Sequence, residues 1–320
     1  MIPKYFTLKE KINDDIISDI YPLGSNLPTE IQLAQKYHVS RSTVRQALDL
    51  LVADGIIEKK WGSGNSVIAK SNSLKRNTIM IIIPDKSKYG WDLAIDEMTS
   101  LFLKEGYTLE IKISKGQLSA EREYLAMLTQ DLYGGLILSP AISYFPSTNT
   151  DLIQLLLKRQ LPIIFVGAKP DGLYNVSNIS YNSYDKGYQM ARRSINSGHK
   201  SLGGIFLYDD TASMETFSGY TDAIRDANLP ILDNCFLFCN SFDKPGVTSR
   251  SSGAINRFLK NAYLNATVIY LDDPTISTDG SYPVTTCDLR PTKSIGKEIA
   301  KQFLSQKKNG NSKTITIPYK

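Results

Sequence analysis

The stretch that decides the fold of the N-terminal part runs from residue 27 to 66 and reads LPTEIQLAQKYHVSRSTVRQALDLLVADGIIEKKWGSGNS. Thr29 stands three residues before Gln32, the spacing of a capping box, and this predicts the start of a helix. Ser40 is a candidate N-cap for a second helix. The apolar residues of that second helix share one face: Val44, Ala47, Leu48 and Leu51. The stretch therefore predicts two helices joined by a tight turn, and residues 5–20 predict another helix before them.

The second helix carries polar residues near its N-terminus on the opposite face: Arg41, Ser42 and Arg45. Guanidinium groups and a short hydroxyl can reach phosphates and guanine edges in a major groove. Two short strands over 56–60 and 66–69, joined by a glycine-containing loop, predict a β-wing. This order of elements indicates a DNA-binding domain. The alternative is a solvated helical hairpin with ordinary surface arginines.

Residues 1–69 resemble the winged helix-turn-helix domain of GntR-type bacterial transcriptional regulators. The resemblance rests on the motifs LPTE, VSRSTVRQAL and DG and on the glycine-rich wing. In the wing, Asn65 and Ser66 replace the Thr-Phe pair usual in the family. The resemblance implies DNA contacts at family positions, and the same surface adds Ser42 and Trp61. The candidate DNA-binding residues are Lys4, Tyr5, Glu30, Arg41, Ser42, Thr43, Arg45, Trp61 and Gly62.

The composition is that of an ordinary globular protein long enough for two or three domains, with 42% hydrophobic and 22% charged residues among 320. A formal net charge of +5 is compatible with nucleic acid. Three cysteines and no signal peptide favour a reducing bacterial cytoplasm, with the protein at the nucleoid when bound to DNA. No apolar run reaches the roughly 20 residues of a membrane helix, so no membrane partner is expected.

The rest of the chain alternates between strand and helix patterns. Residues 70–77 are polar and unpatterned, which we interpret as a linker to an α/β domain over 78–320. Residues 79–83 form an apolar run typical of a strand buried on both faces. A second alternating set begins near Val176 and ends in a helix marked by Ile295, Ile299 and Phe303. The pattern predicts two α/β lobes of parallel sheet, with a small-molecule cleft at the carboxyl ends of the strands.

Several segments resemble the effector domains of LacI/GalR-type regulators and periplasmic sugar-binding proteins. First-lobe matches lie at 79–84, 134–138 and 162–166, and second-lobe matches include 181–187 and 271–273. The resemblance implies a GntR/LacI hybrid with a periplasmic-binding-protein-like effector domain. Its second lobe is shortened, because the chain between Phe238 and Thr267 lacks about one βα unit of roughly 30 residues.

The expected ligand is a small sugar, whose recognition needs aromatic faces together with carboxylates or amides. Our candidates are residues after strands or at the hinge: Asp85, Tyr89, Trp91, Tyr181 and Asp272. Two family positions are changed, since Thr216 replaces an arginine that clamps sugar hydroxyls and Gly167 replaces an aspartate. The pocket therefore either accepts a different ligand or has lost its ligand.

The resemblance implies a dimeric repressor of carbohydrate-utilisation genes that binds double-stranded operator DNA and is released by an L-arabinose-like sugar. One alternative is a regulator whose effector domain serves mainly for dimerisation. The other is an enzyme, but His38 and His199 have no Ser or Cys partner motif. Gly134-Gly135 and Gly203-Gly204 are not phosphate-loop signatures. We therefore expect no catalytic residues, no metal and no cofactor.

Overall fold

The computed structural model describes residues 3–60, 64–68, 75, 77–86, 90–130, 133–241, 249–274, 276 and 278–320. Its N-terminal domain contains helices packed around one apolar core, followed by an antiparallel β-hairpin. These elements are α1 (Lys4–Ile17), α2 (Glu30–Tyr37), α3 (Arg41–Ala53), β1 (Ile57–Lys60) and β2 (Gly64–Val67). The first helix is shorter than the sequence predicted, because the chain turns at Asp19, which has a φ of 62°. The second wing strand begins two residues earlier than predicted.

The chain then builds a first lobe whose core is a parallel sheet. The elements from 78 to 181 are β3 (Thr78–Ile83), α4 (Trp91–Lys104), β4 (Thr108–Ile113), α5 (Leu118–Gln130), β5 (Gly135–Leu138), α6 (Thr150–Lys158), β6 (Ile163–Val166) and β7 (Ser177–Tyr181). Strands β3, β5 and β6 are buried along their whole length apart from Thr78, as expected for strands covered by helices on both faces.

The remaining elements form the second lobe and the return to the first. They are α7 (Ser183–Asn196), β8 (Leu202–Leu207), α8 (Thr211–Asp226), β9 (Phe236–Cys239), α9 (Ser249–Ala262), β10 (Val268–Leu271), β11 (Thr285–Thr286), α10 (Ile295–Asn309) and β12 (Thr314–Ile317). The second-lobe sheet has the order β11-β10-β8-β9 in the described residues. Helix α9 is the described helix between β9 and β10, in agreement with a shortened second lobe.

Two elements that the sequence placed in the second set belong to the first lobe. The first-lobe sheet has the order β12-β7-β6-β5-β3-β4, so β7 lies inside it and the C-terminal strand extends it. Helix α10 packs on α4, where Phe303 meets Phe102 edge-to-face at 5.3 Å. The apolar pattern could not reveal this, because it marks a buried strand or helix without naming the sheet that buries it.

The long helices α7 and α8 of the second lobe pack closely through two glycines. A Cβ on Gly187 would lie 1.9 Å from the carbonyl oxygen of Thr216, and one on Gly219 would lie 1.9 Å from that of Tyr184. Any side chain at either position would force the helices apart. Across the described residues, no helix is both long and apolar enough to span a bilayer.

Candidate DNA-binding surface and effector cleft

The start of the second helix of the N-terminal domain is fixed by a reciprocal cap. Thr29 N–H donates to the Gln32 side-chain oxygen at 2.9 Å, and Gln32 N–H donates to the Thr29 hydroxyl at 3.3 Å. His38 then adopts a left-handed conformation, with a φ of 54°, and turns the chain. Ser40 caps α3 by accepting from Thr43 N–H at 3.2 Å. The capping box and the N-cap inferred from the sequence are both present.

The N-terminal end of α3 presents a polar, cationic face to solvent. Arg41, Ser42 and Arg45 are exposed. Thr43 is half-buried, and its hydroxyl is hydrogen-bonded to the Ser40 hydroxyl at 2.8 Å. The positive end of the helix dipole adds to these charges. Such a face suits phosphate oxygens and base acceptors.

Arg45 is held by a residue that we also selected from the sequence. Its guanidinium donates to both oxygens of Glu30, at 3.1 and 2.8 Å. The hydrogen bond from Arg45 lowers the pKa of the Glu30 carboxyl. The Arg45 side chain nevertheless remains 60% exposed. Because the guanidinium is already bound to Glu30, an acceptor on DNA would have to displace the Glu30 carboxylate to bind Arg45.

The other DNA-binding candidates lie at the edges of this face or outside the described residues. Lys4 is exposed at the start of α1, and Tyr5 beside it is half-buried. Trp61 and Gly62 lie outside the described residues. In the wing, the buried Ser66 donates its hydroxyl to Asn26 at 2.6 Å. The residue at the usual phenylalanine position therefore ties the wing to the preceding loop.

The effector cleft lies where the carboxyl ends of the first-lobe strands face those of the second lobe. Its walls come from the loops that follow β3, β5, β6, β8 and β9 and from the first turns of α8. The two lobes touch directly: the Thr211 N–H donates to the Ser143 hydroxyl at 2.8 Å, and the Thr211 hydroxyl donates to the Ser143 carbonyl at 2.6 Å. The two spaces in the cleft each have room for about one water molecule, so a sugar would need the lobes to separate.

Two acidic residues that we did not select from the sequence lie in this cleft. Asp209 accepts from the Ser241 N–H at 2.9 Å and from its hydroxyl at 2.8 Å. Asp210 caps α8 by accepting from Ala212 N–H at 2.9 Å. The signal that could have found them is their position two and three residues after the end of the buried parallel strand β8.

The hinge side of the cleft brings together Tyr181, Ser183 and Glu215, beside Gly167. No hydrogen bond from a described residue involves the Tyr181 hydroxyl or the Glu215 carboxyl. Partial burial, together with the nearby Asp210, raises the pKa of Glu215. Tyr181 was selected from the sequence, and Glu215 was not. Together they give the cleft one donor and one acceptor that a hydroxylated ligand can use.

Two of the sequence candidates, Trp91 and Asp272, do not line the cleft described above. Trp91 is 1% exposed and packs in the first-lobe core, because it begins the buried face of α4. Asp272 forms an ion pair with Lys186 at 2.7 Å, with side chains 7% and 13% exposed. Burial is the largest single influence and acts to lower the pKa of Lys186, but Asp272, together with Tyr319 and Cys287, gives a net rise. Asp272 is thus occupied within its own lobe. Asp85 is half-buried after β3.

Tyr89 lies outside the described residues. The two altered family positions, Thr216 and Gly167, have different surroundings. Thr216 is fully buried, and its hydroxyl donates to the Ala212 carbonyl at 2.8 Å within α8. It therefore offers nothing to the cleft. Gly167, with a φ of 86°, lines the cleft through its backbone alone.

Comparison with known proteins agrees with this arrangement. Residues 4–67 match the family described as bacterial regulatory proteins, gntR family. The arabinose metabolism transcriptional repressor of Halalkalibacterium halodurans is 24% identical over 72% of this chain and 63% of its own length. Its counterpart in Geobacillus stearothermophilus is 26% identical over 72% of this chain and 64% of its own length. The chain thus spans slightly less than two thirds of either relative.

A solved structure supports the fold of the α/β part. It is a periplasmic binding protein/LacI transcriptional regulator from Alkaliphilus metalliredigens, complexed with D-xylulofuranose. Its TM-score is 0.57 at 15% identity, over 76% of this chain and 96% of that one. The expected hybrid of a GntR-type head with a LacI-type domain is therefore confirmed. Residues 4–67 thus match the gntR family of bacterial regulatory proteins, and the α/β part has the fold of LacI-type regulators.

Proposed function

We propose that the protein is a sequence-specific transcriptional repressor of carbohydrate-utilisation genes, released from operator DNA by a small sugar. Residues 1–69 are the DNA-binding head, 70–77 the linker and 78–320 the effector and dimerisation domain. The observation that carries the proposal is the pairing, in one chain, of an exposed arginine-bearing α3 with a two-lobed cleft. The curated names of the relatives, arabinose metabolism repressors, support a pentose of the L-arabinose kind.

The proposed DNA interface is the exposed end of α3, with Arg41 and Arg45 in the major groove. Lys4 and the wing hold phosphates on either side. One winged head covers little of a groove, so two chains related by a two-fold axis would bind palindromic half-sites. We propose the bacterial cytoplasm as the place of action and assign no catalytic role to the chain.

The proposed sugar site is the hinge side of the cleft. The Tyr181 hydroxyl would donate to or accept from the sugar, and the Glu215 carboxylate would accept from a sugar hydroxyl. Asp209 and Ser241 form the opposite end of the wall. A sugar that binds one lobe arrangement better than the other would shift the population of dimers away from the one that fits the operator.

A second function has one specific observation in its favour. The hydrogen bonds between Ser143 and Thr211 hold the two lobes together across the cleft. If that closure is permanent, the chain is a DNA-binding regulator whose α/β domain serves for dimerisation alone.

The deciding experiment selects operator DNA from a random palindromic library and repeats the binding with a panel of sugars at fixed salt. The panel includes L-arabinose, D-xylose, D-ribose and D-xylulose. We expect a specific site that one of these sugars weakens. A specific site that no sugar affects would favour the constitutive regulator, and failure to select any site would contradict the assignment of the head.

A further inference from the structure

A buried ionic contact joins the C-terminal end of α3 to the first lobe. Asp54, directly after α3, lies between Lys9 of α1, whose Nζ is 2.5 Å from Oδ2, and Arg159 of the first lobe, whose Nε is 3.2 Å from Oδ1. The Lys9 and Asp54 side chains are each 4% exposed and that of Arg159 is 16% exposed. One carboxylate is therefore shared between a cation of its own domain and a cation of the other domain.

Arg159 also binds backbone on both sides of the junction. One guanidinium nitrogen donates to the Ala53 carbonyl at 3.2 Å, and the other donates to the Thr129 carbonyl at 2.6 Å. These carbonyls lie in the last turns of α3 and α5. Carbonyls there lack partners within the helix, and this end of the helix dipole is negative. The planar fork of arginine spreads its donors over three nitrogens and so reaches such acceptors together, whereas lysine carries all its donors on one nitrogen.

A second contact fixes the chain to the same side of the first lobe. Lys75, just before the first lobe begins, donates to the Tyr133 hydroxyl at 2.9 Å and lies over its ring, 4.9 Å from the centroid. Tyr133 in turn donates to Glu110 at 3.0 Å. Tyr133 lies four residues after Thr129, so Lys75 and Arg159 contact neighbouring positions of the first-lobe chain.

We infer that Arg159 docks the recognition helix α3 onto the first lobe, so that the DNA-binding head and this lobe move as one body. The docked end of α3 is opposite to Arg41 and Arg45. At 1.5 Å per residue, the 13 residues of α3 separate the two ends by roughly 20 Å. Docking therefore leaves the DNA-binding face free while fixing its direction.

The consequence for regulation rests on the proposed function. When a ligand moves the lobes relative to each other, a head docked on the first lobe turns with it. The distance between the two recognition helices of a dimer then changes with lobe position. A head held by a linker alone would not sense that motion.

The test of docking is an interdomain distance measured by pulsed electron paramagnetic resonance. Nitroxide labels replace the exposed Gln46 on α3 and Glu123 on α5, in a background with Cys239→Ser and Cys287→Ser. Labelled chains are diluted with unlabelled ones so that distances within one chain dominate. We expect a narrow distribution in the parent and a broad one in Arg159→Ala.

The matched control is Arg122→Ala, which removes an exposed arginine that pairs with Asp151 inside the first lobe. It should leave the distribution narrow. Arg159→Ala should fold, because Asp54 keeps Lys9 as its partner. A broad distribution in the parent, or one as narrow in Arg159→Ala as in the parent, would overturn the docking.

A second measurement separates docking from the proposed function. Effectors typically change affinity by about 5–150-fold. In Arg159→Ala we expect the sugar-induced change in operator affinity to fall close to one, with affinity for a single half-site unchanged. An effector response as large in Arg159→Ala as in the parent would contradict transmission through Arg159. If no sugar acts on the parent, the proposed function fails and the distance result still decides the docking.

Discussion

The head and the cleft differ in how the chain assembles their functional residues. In the head, Arg41, Ser42 and Arg45 come from two turns of one helix, and Glu30, which accepts from Arg45, lies 15 positions away from it in the sequence. In the cleft, Tyr181 and Glu215 line one side, and residues from loops after five strands of two sheets line the rest of the wall. Local spacing determines the first site, whereas the second depends on which loops the two lobes bring together.

The largest effect should come from the ion pair that withdraws Asp272 from the cleft. Lys186→Met leaves this carboxylate buried without its cation, and breaking a buried pair in this way costs about 3–5 kcal/mol. Arg193→Met removes an exposed pair with Asp288 and should cost about 0–1 kcal/mol. The measurement is the free energy of unfolding in urea. Equal small losses in both variants would show that Asp272 does not depend on Lys186 and is free to bind a ligand.

In the head, Arg45→Ala should weaken binding to the selected operator by about 1–3 kcal/mol if the guanidinium reads a base. Arg225→Ala, an exposed arginine on α8, serves as the control and should leave the affinity unchanged. Measurements at several salt concentrations separate two roles. Equal weakening on all sequences with a reduced salt dependence would indicate a phosphate contact, and an unchanged affinity would exclude Arg45 from the interface.

The same contrast explains how far the sequence could be interpreted. The capping box at Thr29 and the cap at Ser40 follow from contacts three residues apart, so the sequence predicts them directly. Trp91 has the chemistry of a sugar-stacking residue, but helix phase turns it into the core. Glu215 stands one residue before the expected clamp position, and only the packing of α8 against α7 shows that it faces the cleft while Thr216 does not.

The lobes show this limit on a larger scale. Alternation of strands and helices predicts parallel sheets, because crossover connections require it. It does not indicate that the chain returns to the first lobe for α10 and β12. Those elements are decided by contacts such as Phe303 with Phe102, about 200 positions apart in the sequence.

A smaller effect is expected at the hinge side of the cleft. Tyr181→Phe removes one hydroxyl and should weaken sugar binding by about 0.5–1.5 kcal/mol, the net value of a hydrogen bond. Tyr174→Phe is the control, since that ring is 84% exposed and does not line the cleft. Calorimetric titration with the sugar found in the panel measures both. Equal affinities in all three proteins would place the sugar elsewhere.

The smallest expected effect concerns pH and compares the two sites most directly. The pKa values of their carboxyl groups, Glu30 and Glu215, are shifted in opposite directions. Arg45 lowers the pKa of Glu30, whereas partial burial and Asp210 raise that of Glu215. For Glu30 the stabilisation is present above the ordinary pKa of about 4.3 and is lost as the pH falls through the lower folded value. For Glu215 the folded state holds the proton more tightly, so its contribution to stability decreases as the pH rises from about 4.3 through the higher folded value.

Carbon-13 NMR titration of the two carboxyl groups should place Glu30 below and Glu215 above that ordinary value, with Glu30→Gln and Glu215→Gln assigning the signals. A sugar hydroxyl donates a stronger hydrogen bond to an ionised carboxylate than to a neutral carboxyl group. Sugar binding should therefore lower the pKa of Glu215, leave that of Glu30 unchanged, and become tighter as the pH rises through the raised pKa of Glu215. If Glu215→Gln keeps the same pH dependence of sugar affinity, another group binds the sugar and the hinge side of the cleft is not the site.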